Sequence, residues 1–300
     1  MKKRYHNLDH IENRVNPLKL VSYFYNRNKG KDLKARIAIT QTTGSNKASQ
    51  GTYYTWIGHS TFLIQIDGLN LLTDPVFSNR MGLEKRLIKP GISLHDLPEI
   101  DAVFISHAHY DHLEFSSLKN LKGSPHFFVP VGVKKLFTNR GYLRVSEANW
   151  WDSIHYKGLD LYFVPAQHWS RRTIFDKNKS HWGGWVIKDR KITLYFVGDS
   201  AYFDGFKKIG SRFDVDVVFM PIGDYEPDWL SGLSHISPEK AVKAFIDLEA
   251  RRFVPMHYGT YRLSMDTGPE ALARLYMEWE RQQLPLDQLA VLMVGEMNAF

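Results

Sequence analysis

The strongest constraint on the fold is a stretch of six residues that holds three histidines and one aspartate. Residues 107–112 read HAHYDH, and the apolar, β-branched run at 101–105 before them predicts a buried strand. The strand therefore ends in a loop with ligands that suit Zn, Mn or Fe. A His-rich loop without a metal is the alternative, but chance rarely places four ligand-type residues within six positions. We interpret the loop as a metal site.

The same arrangement recurs later in the chain. His168, Asp199 and His257 each follow an apolar run that predicts a strand. Ligand sites in α/β sheets form beyond the carboxyl ends of strands, so these side chains can converge with the histidine loop. Each alone is more typical of a structural histidine or a turn residue, but together they predict a two-metal site. One ion would bind His107, His109 and His168, a second would bind Asp111, His112 and His257, and Asp199 would bridge both.

The composition of the chain indicates the compartment and the partners that are expected for this protein. The chain has 300 residues, no cysteine and a formal net charge of +7. It therefore has neither disulfides nor thiolate ligands, and a reducing compartment is expected. No apolar run reaches the length of a membrane span, and the first residues lack the apolar segment of a secretory signal. We expect a cytoplasmic protein, with association at the inner membrane face as an option. The dispersed positive charge favours anionic partners, and no nucleic-acid partner is expected.

The predicted elements give an organisation in two parts. Residues 1–50 are rich in polar residues from Asn26 to Ser49, which predicts an extension that is partly mobile or docked. From Tyr53 to Thr73 the pattern predicts three antiparallel strands. Helices are predicted to begin after Ser237 and at Gly268, and a final strand is predicted at Ala290–Val294.

A set of longer motifs extends this interpretation to a family. In chain order they read GHSTFLI, LLTDPVFSNR, SHAHYDHL, NWWD, VPAQHW, WGGW, VGDS, PIGDYEPDW, SHISPEKAV and MHYGT. With the order of the ligand residues, these motifs resemble the metallo-β-lactamase superfamily. Within it they resemble the branch containing the N-acylphosphatidylethanolamine-hydrolysing phospholipase D, and more distantly the ascorbate-6-phosphate lactonases. The resemblance covers about residues 50 to 265.

The resemblance implies an α/β fold, the αβ/βα four-layer sandwich of two mixed β-sheets with outer helices. It assigns residues 51–300 to one hydrolase domain that holds two divalent metal ions, with Zn preferred and Mn or Fe as alternatives. The expected metal ligands are His107, His109, Asp111, His112, His168, Asp199 and His257. The expected catalytic residues are Asp111, Asp199 and His235. The residues expected to contact substrate or support the ligands are His59, Asp74, Tyr225 and His235.

The function implied by this branch is hydrolysis by a binuclear metal-dependent phosphodiesterase of phospholipase D type. Its substrate would be an N-acylphosphatidylethanolamine-like or related phosphodiester, either a lipid or a small molecule. A lactonase of the ascorbate-6-phosphate type and a metal-binding protein without turnover remain the alternatives. Peripheral membrane contact and a homodimer are further options.

Overall fold

The computed structural model describes residues 4–9, 19–20, 23, 35–38, 40 and 51–300. The predicted mobile stretch from Asn26 to Ser49 lies outside the described residues except for 35–38 and 40. The proposed boundary at residue 50 stays a prediction. Within the part of the chain that the structure describes, no helix combines the length and the apolar character that crossing a bilayer requires.

The first sheet is mixed and has seven strands. Its antiparallel part is built around the hairpin turn at Asp67-Gly68, and its parallel part has three crossover connections, two of which contain a short helix. In spatial order the strands are β15 (Met297–Ala299), β1 (Tyr53–Gly58), β2 (Thr61–Ile66), β3 (Leu69–Thr73), β6 (Ala102–Phe104), β7 (His126–Pro130) and β8 (Val145–Ala148). A separate two-stranded hairpin lies between β3 and β6 in the chain. It consists of β4 (Arg80–Met81) and β5 (Glu84–Lys85).

The second sheet is also mixed and has six strands. Two of its strands are buried at every residue, as expected for parallel strands that are covered on both faces. In spatial order the strands are β14 (Arg252–Met256), β13 (Val217–Pro221), β12 (Thr193–Phe196), β11 (Gly184–Lys188), β10 (Leu159–Val164) and β9 (Ser153–Tyr156).

The two sheets pack face to face, and aromatic side chains fill the space between them. The rings of Phe62 and Phe219 are 4.6 Å apart, and those of Phe104 and Trp185 are 5.5 Å apart. The indole of Trp185 also donates a hydrogen bond to the Ile105 carbonyl at 2.9 Å. This bond ties the second sheet to the segment that leads into the histidine loop.

Helices cover the outer faces and complete four layers. On the first sheet, Leu118 and Phe137 of two short helices pack against the strands, and on the second sheet Phe245 and Trp279 both contact Phe253. The helices are α1 (Phe115–Lys119), α2 (Lys134–Thr138), α3 (Gly205–Gly210), α4 (Asp228–Ser231), α5 (Pro238–Leu248) and α6 (Gly268–Arg281), followed by a 3-10 turn at Leu286–Gln288. The predicted α/β sandwich of two mixed sheets with outer helices is confirmed.

Capping residues fix the beginnings of the two longest helices, α5 and α6, as predicted. Ser237 caps α5 by accepting from the Lys240 amide, and Thr267 caps α6 in the same way. The prediction for the last strand is wrong. Ala290–Val294 has no continuous ladder partner, and the strand lies instead at Met297–Ala299, antiparallel to β1.

Candidate metal centre

The histidine loop lies where the carboxyl ends of strands from both sheets meet. The loop follows β6, and His168, Asp199 and His257 follow β10, β12 and β14 in the second sheet. The Gly183 amide donates to the Ser106 carbonyl at 3.1 Å, so the start of the loop is fixed to the opposite sheet. The structure therefore brings all seven predicted ligands together.

His107, His109 and His168 form a first group of imidazoles. The Nε2 atom of His107 lies 2.9 Å from Nδ1 of His109, and Nε2 of His168 lies 3.2 Å from the same atom. Outside the group, Nδ1 of His168 donates to the Ser234 carbonyl at 2.8 Å, and Nδ1 of His107 faces the Ser106 hydroxyl at 2.9 Å. These outer bonds leave the inner nitrogens free to act as ligands.

Asp111, His112 and His257 form a second group beside the first. The Nε2 atoms of His112 and His257 are 3.2 Å apart, and Oδ2 of Asp111 lies 3.4 Å and 3.6 Å from them. The outer nitrogen of His112, Nδ1, donates to Oδ2 of Asp74 at 2.6 Å. This bond directs Nε2 of His112 towards its group.

Asp199 lies between the two groups. Its Oδ2 atom is 3.1 Å from Nε2 of His112, and its Oδ1 atom is 3.1 Å from Nε2 of His257. Oδ2 is also 3.9 Å from Nε2 of His107 and 3.8 Å from Nε2 of His168. One carboxylate therefore contacts both groups, as a bridging ligand requires.

The chemistry of this donor set fits divalent ions. Neutral imidazole lone pairs repel each other at the observed separations of 2.9–3.2 Å unless a proton or a cation lies between them. Oδ1 of Asp199 is buried and faces Nε2 of His257 at 3.1 Å. Nitrogen and oxygen donors without thiolates suit Zn, Mn or Fe. The His/Asp cluster can bind metal ions, and the role of each ligand remains our proposal.

The two groups differ in proton affinity in the protein without metal. Burial lowers the pKa of His109 to about 3 and that of His168 to about 4, and it holds the pKa of His107 well below its usual value. Burial also opposes protonation of His257, but the carboxylates of Asp199 and Asp111 outweigh it and raise its pKa to about 10.

The carboxylates of Asp111 and Asp199 and the imidazole of His112 stabilise one another in their charged forms. Burial would lower the pKa of His112, but the charges of Asp199, Asp111 and Asp74 raise it well above its usual value. Burial would likewise raise the pKa values of Asp111 and Asp199, but His112 and His257 hold both well below the usual range. The second group is therefore protonated on imidazole and ionised on carboxylate at neutral pH.

Asp74 and His59 support the ligands from behind, where the sequence placed them. Asp74 is fully buried and accepts from the Ser106 amide at 2.8 Å and the Ser106 hydroxyl at 2.5 Å, besides His112. Nε2 of His59 lies 3.2 Å from Oδ2 of Asp111. Burial lowers the pKa of His59 to about 3, so it is a neutral partner for that carboxylate.

His235 reaches the cluster from the loop before α5, and it has a partner that the sequence interpretation missed. Its Nδ1 atom is 3.8 Å from Oδ2 of Asp199, and its Nε2 atom is 3.2 Å from Oδ2 of Asp224. Burial lowers the pKa of His235, whereas burial and the nearby Asp266 charge raise that of Asp224 well above its usual value. The sequence could have indicated Asp224 by its position, because this residue, like the predicted ligands, closely follows a buried strand, β13.

Tyr225, the last of the residues expected to contact substrate or support the ligands, lies away from the cluster of ligands. Its side chain is buried, and the guanidinium of Arg274 lies 4.5 Å from its ring centre. Tyr225 is not among the residues that line the groove at the cluster. Its assignment to substrate contact therefore gains no support from its position.

A groove of about 900 Å³ opens onto the cluster. His109, Asp111, Asp199 and His235 form its inner end, and its walls carry aromatic and basic side chains. The aromatic side chains are Tyr110, Phe115 and Trp169, and the basic ones are Arg80, Arg140, Arg171 and Arg172. The sequence interpretation missed these arginines, although Arg171-Arg172 stands three residues after His168.

Arg172 has a structural role as well as a place in the groove wall. It donates to the carbonyls of Ala108 and Leu113 at 2.9 and 2.8 Å and lies 4.1 Å from the ring centre of Tyr110. These contacts hold the histidine loop from the solvent side. Arg80 and Arg171 have no carboxylate partner within the described part of the chain.

Comparison with known proteins places this fold and site in a family. Residues 69–258 match the model of a beta-lactamase superfamily domain. The N-acyl-phosphatidylethanolamine-hydrolyzing phospholipase D 1 of Caenorhabditis elegans is 34% identical over 283 residues, which are 88% of this chain and 76% of the worm protein.

Two further proteins are similar over most of their own length. A metal-dependent hydrolase of Methanopyrus kandleri is 30% identical over 247 residues, covering 81% of this chain and 97% of that protein. Among solved structures, a metallo hydrolase of Ignicoccus hospitalis has the same fold, with a TM-score of 0.65 and 24% identity over 83% of this chain and 98% of that one.

Proposed function

The chain belongs to the beta-lactamase superfamily and is a metal-dependent hydrolase of that fold, and from this premise we propose that it is a phosphodiesterase of phospholipase D type. Its substrates would be N-acylphosphatidylethanolamine-like or related phosphodiesters. The observation that carries the proposal is the groove, whose walls hold four arginines and whose inner end is the His/Asp cluster. Guanidinium groups bind phosphate oxygens well, and a lactone without a phosphate group offers them no formal charge.

The reaction would be hydrolysis of one P–O bond. The oxygen of a water molecule bonds to phosphorus, the bond to the leaving alcohol breaks, and the alcohol oxygen takes up a proton. Two divalent ions held by the two ligand groups would supply Lewis acidity towards the phosphoryl oxygens and lower the pKa of water at the site. The chain's own residues then have to position the diester, orient the water and deliver the proton.

Three side chains at the inner end of the groove suit these tasks. Asp111 stays ionised at neutral pH and faces the groove, so it can orient the attacking water. Asp199 contacts both ligand groups and fixes their spacing. His235 is neutral, and its Nδ1 atom has no partner among the described residues, so it is available to substrate.

Asp224 determines which nitrogen of His235 carries the proton. The raised pKa favours the protonated form of the Asp224 carboxyl, which donates to Nε2 of His235 across the observed 3.2 Å. The imidazole proton then resides on Nδ1, which can donate to a phosphate oxygen or to the leaving alcohol.

The test is a comparison of substrate classes on one metal-loaded preparation. We expect kcat/KM for a lipid or short-chain phosphodiester to exceed that for acyl-homoserine and sugar lactones. Metal content should be measured on the same sample, so that a loss of ions is not mistaken for a wrong substrate. Faster opening of the lactones at full metal content would favour the lactonase alternative.

A further inference from the structure

Two loops beside the groove expose large apolar side chains. Ile174 and Phe175 are adjacent in the chain and are 79% and 75% exposed, and Leu83 in the turn between β4 and β5 is 93% exposed. Single exposed apolar residues are common, but an adjacent exposed pair of this size, with a third on another loop of the same groove, is a typical sign of an interaction surface. We call Leu83, Ile174 and Phe175 the apolar tips.

Both loops form the walls of the same groove. Arg80, Met81 and Gly82 line it on the side of Leu83, and Arg171 and Arg172 line it on the side of the other two tips. The apolar tips therefore flank the mouth of the groove that leads to the His/Asp cluster. A surface that contacted the tips would also face the entrance to the proposed active site.

The loop with Ile174 and Phe175 is held in its outward conformation by its own hydrogen bonds. Oδ1 of Asp176 accepts from the amides of Arg172 and Thr173 at 3.0 and 2.8 Å. The hydroxyl of Tyr110 donates to the Arg172 carbonyl at 3.0 Å, which attaches the loop to the histidine loop. The two apolar side chains are therefore presented outward by a fixed loop.

Positive charge accompanies the tips. Arg80 and Arg171 both line the groove, are exposed, and have no carboxylate partner within the described ranges. Apolar side chains that enter the acyl boundary, next to cations at the level of the phosphates, are the combination that binds an anionic bilayer surface. The net charge of +7 acts in the same direction.

We propose that the apolar tips and the two arginines, Arg80 and Arg171, form a docking surface for an anionic lipid bilayer, with the groove mouth against the head-group layer. This inference deepens the proposed function and rests on it where it names a lipid as the source of the diester. A lipid phosphodiester would then enter the groove from the bilayer without first dissolving in water.

The test is sedimentation of the metal-loaded protein with vesicles of phosphatidylcholine, with or without phosphatidylglycerol. The double variant Ile174→Ser, Phe175→Ser should lower partitioning by about tenfold or more on both vesicle types, because it removes apolar burial. Arg80→Gln and Arg171→Gln should each lower it by about fivefold, only where phosphatidylglycerol is present.

A matched control removes equally exposed apolar side chains elsewhere. Met277 and Leu286 are 69% and 72% exposed and do not line the groove, so Met277→Ser with Leu286→Ser should leave partitioning unchanged. Wild-type partitioning by the tip variant, or an equal loss in the control, would overturn the docking surface.

The same variants separate this inference from the proposed function. The tip variant should hydrolyse a soluble short-chain diester at the wild-type rate, and only turnover on vesicles should fall. If wild type hydrolyses the soluble diester but the tips do not affect vesicle binding, docking fails and the phosphodiesterase stands. If no diester is hydrolysed and the tips still control binding, docking stands and the phosphodiesterase fails.

Discussion

At the scale of single residues, the site depends on side chains that hold the ligands as much as on the ligands themselves. Asp74 is buried and joins Nδ1 of His112 to both the amide and the hydroxyl of Ser106. Through these bonds, one carboxylate fixes the orientation of ligands from both groups. Loss of its charge should therefore affect metal binding without removing any ligand.

We predict that Asp74→Asn lowers metal affinity by about 10- to 100-fold, because an amide NH2 in place of Oδ2 cannot accept the hydrogen bonds from His112 and the Ser106 hydroxyl and carries no charge. Affinity is measured by titration against a competing chelator. Asp67→Asn is the control, since Asp67 is an exposed turn residue with the same left-handed backbone. Equal affinities for the Asp74 variant and the control would contradict the role given to Asp74.

His235 should act on substrate rather than on metal. Its Nδ1 atom is 3.8 Å from Asp199 and has no partner among the described residues. We predict that His235→Ala lowers turnover of a phosphodiester by about 10²-fold with metal content unchanged. His95→Ala, which removes an exposed histidine far from the cluster, should leave both unchanged. Loss of metal from the His235 variant would instead identify a ligand.

Metal binding should release protons from one ligand group only. The pKa values of His107, His109 and His168 are lowered, so these side chains are neutral at pH 7. His112 and His257 carry protons that a metal ion must displace, and the pKa of His257 is raised to about 10. We expect about two protons released per chain at full loading, and an affinity that rises with pH up to about 10.

The measurement is calorimetric titration with metal in buffers of different ionisation enthalpy. His257→Gln should reduce the release by about one proton, which assigns part of it to this residue. Binding that releases no protons near pH 7 would mean that the second group does not hold a metal ion.

At the scale of secondary structure, the ligands are placed by the residues that end the strands. Asp199 follows Gly198, which has a φ of +68° and lies against Ser106 at the start of the histidine loop. A Cβ atom at Gly198 would be 2.5 Å from the Cβ of Ser106. The close approach of β12 to the loop thus requires glycine at this position, both for the backbone and for the space.

Gly198→Ala should destabilise the fold and displace Asp199. Gly68 is the matched control, because its φ is +77° and an added Cβ meets nothing within 4 Å. Gly68→Ala should cost about 1 kcal/mol from backbone strain alone, and Gly198→Ala about 1–3 kcal/mol more from overpacking, with lower metal content. The free energy of unfolding and the metal content are the measurements, and equal effects at the two positions would refute the close-approach argument.

At the scale of the whole molecule, described residues near the start of the chain pack against the ligand-bearing body. The side-chain oxygen of Asn7 accepts from the His168 amide at 3.1 Å and from the Trp182 indole at 3.0 Å. The ring of Tyr5 stacks on His181 with centres 4.4 Å apart. Residues 4–9 therefore support the backbone that carries His168.

We predict that Asn7→Ala lowers the free energy of unfolding by about 1–3 kcal/mol, because the buried amide of His168 loses its partner. Asn139→Ala, at an exposed helix end, should have a much smaller effect. Thermal or denaturant unfolding measures both variants. A stability unchanged by Asn7→Ala would mean that residues 4–9 do not contribute to the stability of the ligand-bearing body.

The sequence by itself predicted the ligand set and the fold class, and the structure confirms the fold class. The HAHYDH loop and the apolar runs before His168, Asp199 and His257 are local patterns, whereas the arrangement of the two sheets was implied by the family resemblance. The supporting roles of His59 and Asp74 were expected from the same resemblance. The helix beginnings at Pro238 and Gly268 followed from local sequence signals at the helix N-termini.

Only the tertiary structure decided the features that depend on contacts distant in the chain. Asp224 contacts His235, Arg80 and Arg171 line the same groove, and Asn7 contacts the His168 amide, because separate elements converge there. The last strand was misplaced for the same reason. Ala290–Val294 is apolar because it is packed among neighbouring segments, and the more exposed residues 297–299 form the strand because β1 offers them a free edge. Pairing and groove formation depend on which surfaces meet, and no local pattern encodes that.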